Sequence, residues 1–64
     1  MTKYNVYHIA DADTKPTLWA EAVHLSTVVD MVMLDEDEIL WAIEEEGSCA
    51  VDAMIGGEFT VAEA

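Results

Sequence analysis

Sixty-four residues with a net charge of −12 make one domain (residues 1–64) and exclude several functions at the outset. Two basic residues, Lys3 and Lys15, face fourteen Asp and Glu, a balance that repels nucleic acid and anionic lipid and suits a basic protein surface. The 53% hydrophobic content sets the chain apart from acidic disordered sequences and predicts a folded domain.

A domain of this length buries only about 60% of the surface its unfolded chain exposes, so a monomer is marginally stable and oligomers are a common remedy. Cys49 is the only cysteine. No intrachain disulfide can form, which fits a reducing, cytoplasmic setting. The opening MTKYNVYHIA lacks a hydrophobic core of signal-peptide length, and no apolar run of about 18 residues predicts a membrane span.

Residues 3–10, KYNVYHIA, are rich in β-branched and aromatic side chains and predict a strand. DADTKP at 11–16 gathers turn formers, and TLWAEAV at 17–23 predicts a second strand. Together they form an antiparallel hairpin. With Ala10 opposite Thr17, one face carries Tyr7, Ile9, Leu18, Ala20 and Ala22. That wholly apolar set is the expected core face, leaving Tyr4, Val6, His8, Trp19, Glu21 and Val23 on the other; a slip of one residue would re-sort one strand.

Residues 24–34, HLSTVVDMVML, suit either a short helix or a strand. Ser26 as a cap, Asp30 in the first turn and a stripe of Leu25, Val28, Val29 and Val32 favour the helix. The next stretch, LDEDEILWAIEEEGS at 34–48, is the best-marked helix. Asp35 is an N-cap and Glu38 completes a variant of the capping box. Asp35, Glu36, Asp37 and Glu38 complement the positive end of the helix dipole, and Gly47 is the natural stop. Glu44, Glu45 and Glu46 are anomalous. They put three charges at the negative end of the dipole, each unfavourable by about 0.3–1 kcal/mol when exposed. At about 100° per residue, Ile39, Leu40 and Ile43 share one face, with Ala42 at its edge, while Trp41 points away among carboxylates. Burial of Trp41 within the monomer remains the alternative.

CAVDAMI at 49–55 alternates loosely, Gly56-Gly57 is a hairpin turn signal, and EFTVA at 58–62 has strand character. A short helix from Cys49 ending at Gly56 competes. The expected architecture is a small α+β domain in the order ββα(α)ββ, an antiparallel sheet with one or two short helices packed on it.

The chemistry is sparse. His8 and His24 have no further ligands at metal-site spacing, and no metal or cofactor is expected. Asp11-x-Asp13 and Asp35-x-Asp37 begin like calcium loops but lack the glycine and the distal glutamate that such loops need. Cys49 stands in strongly negative surroundings, the opposite of what a nucleophilic thiolate requires. Met31, Met33 and Met54 fill the core by default, with an adaptable hydrophobic surface as the sharper reading. No catalytic residue is expected and the protein reads as a non-enzyme.

Small size, charge imbalance and the runs DEDE (35–38) and EEE (44–46) give a profile that resembles small, acidic, phage-encoded inhibitors of the anti-CRISPR and DNA-mimic kind. The resemblance implies that the protein blocks a nucleic-acid-binding enzyme or effector in the host cytoplasm by covering its positive channel. The expected partner-binding residues are Asp35, Glu36, Asp37, Glu38, Trp41, Glu44, Glu45 and Glu46. The rival expectation is a homo-oligomeric structural or accessory protein. Its acidity would serve solubility alone, and Trp19 and the methionines would form a homodimer interface.

Overall fold

The computed structural model describes residues 2–11 and 13–64. Ala12 of the DADTKP turn and Met1 of the leading segment lie outside them. Six elements follow in order: β1 (Tyr4–Ile9), β2 (Thr17–Val23), α1 (Leu25–Val32), α2 (Glu36–Glu46), β3 (Cys49–Asp52) and β4 (Glu58–Glu63). The expected α+β domain is thus present, with both helices formed. The four strands make one antiparallel sheet in the order β2-β1-β4-β3. The first and last strands are its central pair, and the Ala64 N–H donates to Lys3 O at 2.9 Å to extend their ladder.

Both helices lie on one face of the sheet. Tyr4, Val6, Phe59, Val61 and Cys49 project towards them and are buried. Val28 and Val32 of α1 and Ile39 of α2 close the core from above. These eight residues are the whole of the buried apolar set among the described residues. Fully burying one such side chain contributes about 1.5–3 kcal/mol.

The sheet inverts the expected faces of β1, while on β2 Ala20 pairs with Val6 and packs against the core as expected. Thr17 pairs with His8, not Ala10, and the register shifts twice along β2. Tyr4 and Val6 are therefore core, while Tyr7, Ile9 and Leu18 stand on the open side. The physical cause lies in β2. Ala22 takes a left-handed φ of 50°, and its N–H donates to the Asn5 side-chain oxygen at 2.8 Å. Asn5 thus supplies the acceptor that the broken ladder lacks, and each bulge re-sorts the residues beyond it.

α1 begins one residue before the expected cap. His24 is the N-cap and makes no side-chain hydrogen bond. Ser26 is inside the helix, and no acidic residue occupies the first turn, so Asp30 belongs further along. The helix starts directly off β2, and the chain has no room for a separate capping turn. Val28 and Val32, one turn apart, are its buried stripe. α2 starts and stops as expected, with Asp35 as N-cap and Gly47 at φ 86° donating its N–H to Ile43 O at 2.9 Å. The capping box itself does not form, because Asp35 makes no side-chain cap bond. Its carboxylate precedes three more acids, and their mutual repulsion favours the solvated position over the one folded back on the helix.

The β3–β4 connection is longer than a two-residue Gly-Gly turn. Gly56 N–H donates to Ala53 O, and Ala53 N–H donates to Gly57 O, both at 3.0 Å. Met54 and Ile55 are thereby carried to the tip. Gly56, at φ 101°, is the residue that lets a three-residue loop close.

Candidate interaction surfaces

α2 carries the expected site, and its helical period sorts the residues. Ile39 is buried with Ala42 and Ile43 half-buried beside it, whereas Leu40, expected on the same face, is exposed. At about 100° per residue, the direction opposite Ile39 holds Asp37, Trp41, Glu44 and Glu45, with Glu36 and Glu38 on the flanks. Glu46 falls on the side nearer the sheet. Asp35 precedes the helix altogether. All eight expected residues are exposed, but they make two charged ends separated by Trp41 rather than one uniform face.

Trp41 is 61% exposed, which settles the alternative of burial within the monomer. It stands over a shallow hollow of about 420 Å³ whose other walls are Leu34, Asp37, Glu38, Ala42 and Cys49. The base is apolar and two carboxylates stand at the rim. An aromatic ring beside carboxylates offers a cation both ring-face attraction and charge pairing. The chain has only Lys3 and Lys15 to set against fourteen acids, so most carboxylates have no basic partner within it.

Cys49 is buried at the edge of that hollow. Burial raises its thiol pKa, and the nearby Glu38 and Glu46 carboxylates raise it further. The thiol is therefore neutral at physiological pH. Because the folded value lies above the unfolded one, its contribution to stability is intact below the ordinary thiol value of 9.0 and is lost as pH rises through the folded value. We expect alkylation of the native protein at neutral pH to run at least about tenfold slower than in denaturant. Equal rates in the two states would show the thiol to be accessible.

The loop before β2 has its own local order. Asp11 accepts from the Thr14 hydroxyl at 2.7 Å and the Asp13 N–H at 2.9 Å, and these bonds lower its pKa. Among the described residues no group of three or more His, Cys, Asp or Glu is placed to hold a metal ion, and no helix is long and apolar enough to cross a membrane.

A second surface lies where the helices stop short of the sheet. His8, Trp19 and Phe59 form an aromatic cluster there. Trp19 lies 4.7 Å from His8 and 5.3 Å from Phe59 between ring centres, in an edge-on contact with the latter. His8 Nε2–H donates to Gly56 O at 2.8 Å, tying the β3–β4 turn to β1. Above this cluster opens a groove of about 490 Å³, bounded by Met31, Val32, Met33 and Leu34 on one side and Val51, Asp52, Met54 and Ile55 on the other. Met33 and Met54, expected to fill the core, are 74% and 95% exposed. Met33 ends α1 with a left-handed φ of 61°, which turns its side chain away from the core stripe. The composition held a hint, since methionine suits adaptable surfaces, but no local pattern linked residues so far apart in sequence.

Compared with known protein families, characterised proteins and solved structures, the chain matches none.

Proposed function

We infer that this protein is a non-catalytic inhibitor that binds a basic, nucleic-acid-binding surface of a partner protein and keeps nucleic acid off it. The observation that carries this reading is Trp41, exposed over an apolar hollow with Asp37 and Glu38 at its rim. A Lys or Arg of the partner can lay its stem in the hollow and its charge between ring and carboxylates. Glu44 and Glu45 extend the same side of α2. The net charge of −12 speeds the approach of a basic partner and makes the complex salt-sensitive. The reading places the protein with the small acidic inhibitors of the anti-CRISPR and DNA-mimic kind, acting in the cytoplasm of a host cell.

The test is capture of a nucleic-acid-binding partner at low salt, followed by competition with its nucleic acid. Trp41→Ala should weaken the complex by about 30-fold, as befits a hot-spot aromatic. An unchanged affinity, or a partner that holds its nucleic acid and this protein together, would remove the occlusion mechanism.

One observation favours a second reading, a homo-oligomer whose acidity serves solubility. The outer sheet face presents Tyr7, Ile9 and Leu18 with neither helix over them. A dimer that persists at high salt and is broken by Leu18→Lys would establish it.

A further inference from the structure

We propose that the methionine-walled groove at the open end of the sheet docks the apolar face of a basic amphipathic segment of another protein. This surface meets the Trp41 hollow at Leu34 but takes no residue from α2, and the proposal does not depend on the role given to Trp41.

The groove gathers side chains that a soluble domain ordinarily keeps apart. Met54, Met33, Ile55 and Trp19 are 95%, 74%, 67% and 47% exposed, and all four line the same hollow. Contiguous exposed apolar surface of this kind marks interaction sites. Its walls come from the end of α1 and the tip of the β3–β4 hairpin, so it is open along its length.

Chemistry narrows the occupant. Asp52 is the one charged residue in the lining, and small-molecule sites orient their ligands with several convergent polar groups. A second copy of this chain would bring another twelve negative charges against the first. A basic segment reverses that sign. A helix laid in the groove would seat apolar anchors at i, i+3, i+4 and i+7 on the methionines, and its flanking Lys or Arg would be drawn by the net charge of −12.

The experiment uses the full chain with Trp41→Phe, leaving Trp19 as the only tryptophan. It is titrated with a designed Leu/Lys amphipathic helix and with a peptide of identical composition whose leucines are scattered around the helix. Trp19 emission should shift to shorter wavelength, and the amphipathic peptide should bind at least about tenfold more tightly than the scattered one. Met54→Asp should weaken binding by at least about tenfold, although it makes the protein more acidic and so strengthens bare charge attraction. Met33→Gly is the second variant. Glycine suits the left-handed φ at that position, so the fold is kept while a wall of the groove is lost.

Equal affinity for both peptides, with neither variant affecting it, would show that charge alone holds the peptide and would overturn the proposal. So would sedimentation as a dimer that Met54→Asp dissolves, since the occupant would then be a second copy. Tight uptake of an apolar dye that the amphipathic peptide cannot displace would equally overturn it. Glu44→Gln with Glu45→Gln serves as the parallel arm. It should leave the Met54→Asp effect in place, so failure at the groove and failure at α2 are read separately.

Discussion

Replacing Gly57 with alanine is expected to remove a large part of the domain's stability. Gly57 sits at φ 77°, where an alanine Cβ costs about 1–2 kcal/mol from backbone conformation alone. The steric cost is greater. That Cβ would fall inside contact distance of the Ile9 carbonyl oxygen and 2.9 Å from Ala10 Cα. Both are backbone atoms at the end of a central strand and cannot rotate away. Domains hold roughly 0.05–0.15 kcal/mol of stability per residue, so a chain this short has only a few kcal/mol to lose. We expect a loss of at least about 3 kcal/mol, read as a lower urea midpoint. Gly56→Ala is the control. Its φ of 101° is also unfavourable, but nothing lies within 4 Å of the added Cβ. It should lose only the conformational part. Equal losses in the two variants would show that the contact with β1 relaxes.

Neutralising Glu44, Glu45 and Glu46 together as glutamines should strengthen the free protein and weaken its complex. The three side chains keep their shape and lose charge at the negative end of the α2 dipole, where no basic residue occupies the last turn. Summed over the three, the gain is about 1–3 kcal/mol at low ionic strength. It appears as a rise in melting temperature of roughly 4–8 °C per kcal/mol for a domain of this size. The gain should shrink in high salt as the repulsion is screened. The helix period separates the members. Glu46 lies on the sheet side of α2, near enough to raise the Cys49 thiol pKa, so Glu46→Gln alone should stabilise without weakening the complex. Glu44→Gln with Glu45→Gln should do both. Affinity that survives the triple substitution would take the exit of α2 out of the interface.

The elements that rest on local signals were legible in the sequence. Asp35 and Gly47 bracket α2 because caps are set by a residue and its immediate neighbours. Helical spacing points Trp41 away from the core face, but whether another element covers it depends on the tertiary fold, which leaves it 61% exposed. The hairpin faces were not legible, because the decisive contact is long-range. Asn5 accepts the Ala22 N–H from seventeen residues away, and alternation cannot register the bulge that this contact stabilises. Apolar residues on both faces of β1 removed the remaining guide. On α2, adjacency in sequence groups Glu46 with Glu44 and Glu45, whereas the helix turns it to the sheet side, near Cys49. The groove was least visible, because Trp19, Met33 and Met54 converge only through the order of the sheet.

The bulged outer strand carries one more consequence. A sheet has two free borders, and each can recruit a foreign strand if it is long and regular. Here one border is β3, only four residues long, and the other is β2, twice interrupted in register and bent by the left-handed Ala22. Neither offers a long, regular row of unpaired amides, so both borders are poor templates for lateral polymerisation into fibrils. The same geometry disfavours recognition by strand addition and leaves recognition to the side chains.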